Sequence, residues 1–291
     1  MKFSFYRTLF FNKRAYDALK TLIRDSGIEI IHFQYCLFTM NFELMKKGLT
    51  LPSVTSLNFP LDLKGVSPFD TFSSIFYRNF IKRMLRNYIR NTDYFVTTCK
   101  KDYDAVDRFS IGRDRVFNIP LGVNTEYFSP GASSFRETLD ADNVFLFVGR
   151  VSYQKGVLNL ARAFRRIERE FPRTKLVIVG NGPDMLRIRS MCSSNVVFTG
   201  EIRYPDKRFV DVLRAADCFV CPSLGESFGL VAAEAMACGL PVIGTDQGEV
   251  GTFIDKDLLI TTNEPTVLAD RMRYAIENKE ALKKNSKNYR K

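Results

Sequence analysis

Cys218-Phe219-Val220-Cys221-Pro222-Ser223-Leu224-Gly225-Glu226-Ser227-Phe228-Gly229-Leu230-Val231-Ala232-Ala233-Glu234-Ala235-Met236-Ala237-Cys238-Gly239-Leu240-Pro241 is the stretch that decides the fold. Four apolar residues make a strand suited to burial on both faces, a short polar loop follows, and an alanine-rich run makes a helix. Ser227 is the expected N-cap, Gly239 takes the left-handed position after the helix, and Pro241 stops any continuation. Glu226 stands beside the first helical turn. Glu234 lies about 10 Å further along the axis, among Ala, Met and Val side chains. A helix start attracts anions. A carboxylate in so apolar a setting is costly unless a hydrogen-bond donor meets it. The pair suggests a ligand with phosphate at one end and hydroxyls at the other.

The same strand-then-helix alternation runs outward from this element. Val144–Val148, Leu176–Val179, Val196–Thr199 and Val242–Thr245 read as strands, with helices after Lys155-Gly156, after Pro183, near 207–215 and from about residue 265. Gly149, Gly180, Gly200 and Gly225 fall just past strand ends. Regular alternation means a parallel, doubly wound sheet, and such sheets bind ligands beyond the carboxyl ends of their strands. Towards the N-terminus, 13–25 reads as a basic amphipathic helix. Ile28–Phe33, Leu51–Leu57, Tyr94–Thr98 and Arg115–Ile119 read as strands, with a helix near 100–109. Residues 70–91 read as a long helix with Phe72, Ile75, Phe76, Phe80 and Met84 against Arg78, Lys82, Arg83 and Arg86. Such a helix either covers a sheet with its basic face in water or lies on a membrane surface, and the first use is the commoner. Ser129-Pro130-Gly131-Ala132-Ser133-Ser134 looks like a linker. The expected domains are 1–130, 131–280 and a frayed basic tail, 281–291.

The 291 residues, 45% of them hydrophobic and 26% charged, suit two globular domains and exclude a disordered chain. No apolar run reaches the roughly 18 residues of a spanning helix. The first eleven residues, broken by Arg7, lack the cleavage pattern of a signal peptide. Six scattered cysteines fit the reduced thiols of a cytoplasm, and the Cys218-x-x-Cys221 pair sits inside a strand, where packing is the plainer reading than metal or redox chemistry. His32 is the only histidine, which excludes histidine-built metal clusters. The net charge of +11 is uneven: 19 Lys/Arg face 12 Asp/Glu up to residue 130, and 24 face 20 beyond it. A basic front half suits anionic lipid or plain solvent; without an aromatic-basic recognition motif, nucleic acid is the weakest of the three.

Gly180-Asn181-Gly182 lacks the third glycine of a dinucleotide fingerprint, and no phosphate-loop motif is present. Two cations, Arg150 and Lys155, instead bracket a loop on the rim that also carries Glu226. An arginine fork and a mobile ammonium both suit phosphate oxygens.

Phe147-Val148-Gly149-Arg150 with Lys155-Gly156, Val177-Ile178-Val179-Gly180-Asn181-Gly182-Pro183, and Glu226-Ser227-Phe228-Gly229-Leu230 through Glu234 to Pro241 together resemble glycosyltransferase family 4, retaining enzymes of the GT-B fold. Ile119-Pro120-Leu121-Gly122-Val123-Asn124 and Phe128 extend the likeness, which covers roughly residues 25–280. The resemblance implies two Rossmann-like parallel-sheet domains, the N-terminal one incomplete. It implies that Arg150 and Lys155 grip the diphosphate of a nucleotide sugar and that amides near Phe228, Gly229 and Leu230 cap it. Glu234 would take the ribose hydroxyls, Glu226 the sugar hydroxyls, and Gly149, Asn181 and Gly182 would complete the donor site. Catalysis would fall to Glu226, Arg150 and Lys155, with neither cofactor nor essential metal.

The resemblance has departures. The usual first strand, glycine-rich turn and helix have no counterpart before residue 13. Asn58 stands where a histidine is common, Gly248-Glu249 replaces a glycine pair, and Thr252 replaces an acidic residue. The expected function is transfer of a hexosyl group to a hydroxyl of a polysaccharide, glycolipid or other cell-envelope precursor, in the cytoplasm or peripheral to an anionic membrane. The alternative is a nucleotide-sugar-binding subunit that is inactive alone.

Overall fold

The computed structural model describes residues 13–34, 51–57, 92–106 and 111–286. The expected helix at 70–91, Asn58 and the residues before 13 lie outside the described residues. Contacts divide the chain into two units, with the main division between Pro120 and Leu121.

In the first unit, the strands β1 (Ile31–Gln34), β2 (Ser53–Leu57), β3 (Tyr94–Thr97) and β4 (Val116–Asn118) pair in sequence order, all parallel. The helices Lys13–Asp25 and Lys100–Ala105 accompany them. Asp93 ties the entry of β3 to β2, accepting from the Ser53 amide and hydroxyl at 2.8 Å each.

The second unit holds β5 (Asn143–Val148), β6 (Thr174–Val179), β7 (Val196–Gly200), β8 (Cys218–Cys221), β9 (Val242–Thr245) and β10 (Leu259–Ile260) in one sheet. The spatial order is β10-β9-β8-β5-β6-β7, and every pair is parallel. The chain therefore builds outward from β5 to β7, crosses over, and builds outward on the other side from β8 to β10. This is the doubly wound order, and its switch point lies between β5 and β8. Strand pleating sends alternate residues to opposite faces. Val144 and Leu146 join a core with Phe209, Leu213, Ala232 and Met236, whereas Phe145 and Phe147 join one with Leu160, Phe164, Leu268 and Met272. β5, β6, β8 and β9 are thus buried on both faces, whereas Ile28–Phe33, read as such a strand, keeps Glu29, Ile30 and His32 exposed.

Two expectations change. The segment 129–134, though mostly exposed, is tied down by hydrogen bonds: the Arg214 guanidinium donates to the Ser129 carbonyl at 2.7 Å, and the Ser133 hydroxyl caps the helix Ser134–Glu137. Asp211 accepts from the Ser134 amide and hydroxyl at 3.0 and 2.8 Å. Small hydroxyl residues serve linkers and caps alike, so composition alone did not separate the two. The basic end is also less frayed than expected, since Lys279–Ser286 is helical with Leu282 buried. Among the described residues no helix is long and apolar enough to cross a membrane.

Candidate functional site

The carboxyl ends of β5 and β8 carry the predicted residues into one region. β5 ends at Val148, and Gly149-Arg150 leads into a tight turn, Tyr153–Lys155, before the helix Val157–Glu170. β8 ends at Cys221 and passes through the Glu226 loop to the helix Leu230–Ala237. A backbone bond from the Leu224 amide to the Gln154 carbonyl, 2.8 Å, joins the two loops. Across this seam Lys155 Nζ lies 2.5 Å from Glu226 Oε2, and both side chains are half-buried. Ser223 Oγ stands 3.4 Å from the same oxygen. Arg150 is exposed and has no hydrogen-bond or ion-pair partner among the described residues.

The helix after the loop starts differently from the expectation. Ser227 does not cap it; Gly229 does, with φ at 83°, and no side chain takes up the first-turn amides. A left-handed cap needs glycine, because any Cβ there would run into the Val250 side chain. No side chain therefore takes up the Gly229, Leu230 and Val231 amides, while the Ala232 amide donates to the Gly229 carbonyl at 2.9 Å. Phe228 is buried and packs against Phe253, ring centroids 5.9 Å apart, while Leu230 stays partly exposed. The backbone under Glu226 and Ser227 is held by Gly248, whose φ is 56° and whose missing side chain leaves room for the Ser227 carbonyl. The Glu249 amide donates to that carbonyl at 2.9 Å.

Glu234 lies one helical step deeper. It is half-buried, no side-chain partner for it is found among the described residues, and burial pushes its carboxyl up to about 7. Half-buried without a donor among those residues, the carboxyl is held towards its neutral form.

Beside Arg150 a concave pocket of about 410 Å³ is lined by Val148, Gly149, Val179, Gly180, Asn181, Glu201 and Ile202. Gly149 and Asn181 line this pocket, whereas Lys155, Glu226 and Glu234 do not, and the Val151 amide donates to the Asn181 carbonyl at 3.0 Å. Gly182 is kept close to Val151 by its lack of a side chain. Cys218 and Cys221 are buried in β8, and burial raises both thiols, Cys221 to about 11, which leaves them as packing.

Sequence reading missed the residues that hold the Glu226 loop from behind. Asn263, buried, donates to the Pro222 carbonyl at 3.1 Å and accepts from Asn159 at 3.2 Å. The Thr245 hydroxyl donates to the Ser223 carbonyl at 2.5 Å. An asparagine after the last short strand gives no local signal of this, because its partners lie 41 and 104 positions away. Glu201 and Ile202, on the pocket wall, were also missed, although Gly200 just before them was read as a rim turn.

Two parallel-sheet α/β units, of four and six strands, are the architecture of GT-B glycosyltransferases. The chain belongs to the family described as Glycosyl transferases group 1, which it matches over residues 132–291, and residues 1–127 match Glycosyltransferase Family 4. D-inositol 3-phosphate glycosyltransferase of Corynebacterium jeikeium is 30% identical over 204 residues, which is 63% of this chain and 47% of that protein. The chain spans about half the length of the curated relatives it matches. Sucrose-phosphate synthase of Thermosynechococcus elongatus superposes with a TM-score of 0.79 at 22% identity, over 95% of this chain and 72% of that one. Anabaena Alr3699/HepE, solved with UDP-glucose, gives 0.73 at 18%, over 93% and 75%. At these identities the structural likeness bears on the fold.

Proposed function

We propose that the chain is a retaining hexosyltransferase that uses a nucleotide-diphosphate sugar. The observation that carries this reading is the Lys155–Glu226 contact across the β5/β8 switch point, with Arg150 on the loop after β5 and Glu234 on the helix that follows the Glu226 loop. Arg150 and Lys155 hold the diphosphate, with the amides of Gly229 and Leu230 at its other side. Glu234 accepts from the ribose hydroxyls, and Glu226 from those of the sugar. The bond between the anomeric carbon and the diphosphate oxygen breaks while the acceptor oxygen bonds to the same face of that carbon. The acceptor proton passes to the departing phosphate. Negative charge grows on the leaving diphosphate, so cations and amides already aimed there lower the barrier. Because these groups take that charge, no essential metal or cofactor forms part of the proposal.

The acceptor is a hydroxyl of a polysaccharide, glycolipid or other envelope precursor, handled in the cytoplasm. Peripheral contact with an anionic membrane belongs to the same reading. The test is thermal unfolding with uridine, guanosine and adenosine diphosphate sugars, followed by donor hydrolysis. A ligand at 100 times its Kd that binds only the folded state stabilises by about 2.7 kcal/mol. One series is expected to raise Tm, with slow hydrolysis of the same donor. No shift with any series would overturn the reading; a shift without hydrolysis or transfer would favour a partner-dependent subunit.

A further inference from the structure

The helix Val157–Glu170 covers one face of the second sheet, burying Leu160, Ala163, Phe164 and Ile167. At 3.6 residues per turn, Arg162, Arg165, Arg166 and Arg169 all fall on its outward side, and all four are exposed. Arg165, Arg166 and Arg169 have no hydrogen-bond or ion-pair partner among the described residues; Arg162 reaches only Asn159, at 3.5 Å. The carboxylates of this helix do not neutralise the stripe. Glu170 is taken by Arg273 through two bonds of 2.8 and 2.9 Å; Glu168 accepts only from the neutral Ser193 hydroxyl and keeps its charge, so one carboxylate stands against four arginines. Like charges three and four positions apart repel on a helix. A merely solvated face is better served by alternating signs, so the stripe works against the helix that carries it.

The neighbouring helix, Met185–Arg189, packs on the same sheet face, burying Ile188 in the same core. It presents Leu186, 84% exposed, beside an unpaired and exposed Arg187. A leucine held in water among unpaired arginines fits a boundary between charge and hydrocarbon. Arginine forks match phosphate oxygens bidentately. We propose that this outward face of the second unit docks on an anionic phospholipid surface, with Leu186 entering the headgroup layer. Nucleic acid is the weaker match, since neither of these two helices exposes an aromatic side chain to stack a base. The reason to visit a membrane rests on the acceptor reading above; the surface itself rests on the charge pattern.

The test is co-sedimentation of the full chain with phosphatidylcholine vesicles, with and without phosphatidylglycerol. Binding is expected only to the anionic vesicles and is expected to fall as salt rises. Each arginine removed is expected to weaken partitioning about fivefold, so Arg165→Gln/Arg166→Gln loses about 25-fold. Leu186→Ser is expected to weaken binding at every salt concentration. Lys207→Gln/Lys256→Gln removes the same charge from exposed sites off this face and is expected to matter much less. The proposal is overturned if anionic vesicles are not preferred, if the lysine control loses as much as the arginine pair, or if duplex DNA displaces the vesicles. Tm and nucleotide-sugar shifts of the arginine variant are expected to match the parent. A parent chain that binds vesicles but no nucleotide sugar would sink the donor reading alone.

Discussion

Lys155 and Glu226 meet across the switch point of the second sheet, ammonium to carboxylate at 2.5 Å, with both side chains half-buried. They come from different crossover connections, 71 positions apart, and each neutralises the other. The proposed donor brings a diphosphate for the lysine and hydroxyls for the glutamate, so binding exchanges one ion pair for two better-matched contacts.

Lys155→Ala is therefore expected to slow transfer by about 100-fold or more, the scale of losing one charge-stabilising group in a transition state. Glu226→Ala is expected to weaken both donor binding and rate. Because the two groups act on each other, Lys155→Ala/Glu226→Ala should lose less than the product of the single losses. Steady-state kinetics on all four proteins decides this, and strictly multiplicative losses would show that the pair is incidental.

Arg150 offers a cleaner separation of function from folding. Its side chain is exposed and unpaired among the described residues, so removing it should change stability by no more than about 0.5 kcal/mol. Arg150→Ala is nonetheless expected to abolish transfer, since a planar fork beside the 410 Å³ pocket is well placed for phosphate oxygens. Arg150→Lys should recover only part of the activity. Undiminished turnover in Arg150→Ala would remove the arginine from the site.

Glu234 makes the site sensitive to pH. Burial raises its carboxyl from 4.5 to about 7 in the folded chain. With the folded value above the unfolded one, the folded state binds the proton more tightly. Its contribution is fully favourable below pH 4.5 and is lost as pH rises towards 7. Glu234→Gln carries no charge at any pH, so its Tm should match the parent at about pH 4 and exceed it at about pH 8. The same variant should bind a nucleotide sugar more weakly at the higher pH, where a charged acceptor is the stronger one. A Tm difference independent of pH would show that Glu234 is not desolvated.

Much of this was legible in the sequence because it is local. Five of the six strands of the second sheet follow from runs such as Val144–Val148, apolar at every position and suited to a sheet covered on both sides; β10, two residues long, is too short to give a pattern. Lys207–Ala215 and Val242–Thr245 fall where the periodicity puts them. Arg150, Lys155, Glu226 and Glu234 stand out as charges at strand ends or within apolar runs. The N-cap at Ser227 failed for a tertiary reason: the residue type suited the position, but contact with Val250 and the need for a left-handed turn gave it to Gly229. The hydrogen bonds that anchor 129–134 were hidden for a similar reason, since Asp211 and Arg214 reach it from 77 and 85 positions away.

Asn263 shows how far such remote support extends into the site. Its amide donates to the buried Pro222 carbonyl and accepts from Asn159, while Thr245 donates to the next carbonyl, that of Ser223. Two consecutive carbonyls at the root of the Glu226 loop are thus fixed by side chains that never reach the proposed donor. Asn263→Ala leaves Pro222 and Asn159 without this partner, at a cost of about 1–3 kcal/mol for a buried unsatisfied group. Asn263→Asp keeps the volume but sets a carboxylate oxygen against the Pro222 carbonyl, so it should be at least as damaging. Thr245→Val, close in shape, should cost about 1 kcal/mol. If these side chains position Glu226, the loss in kcat should exceed any rise in KM, and it should persist at temperatures well below Tm, where all variants are folded. Urea unfolding and steady-state kinetics on the same preparations separate the two effects. A variant that loses stability while keeping the parent's kcat would confine Asn263 to holding the fold.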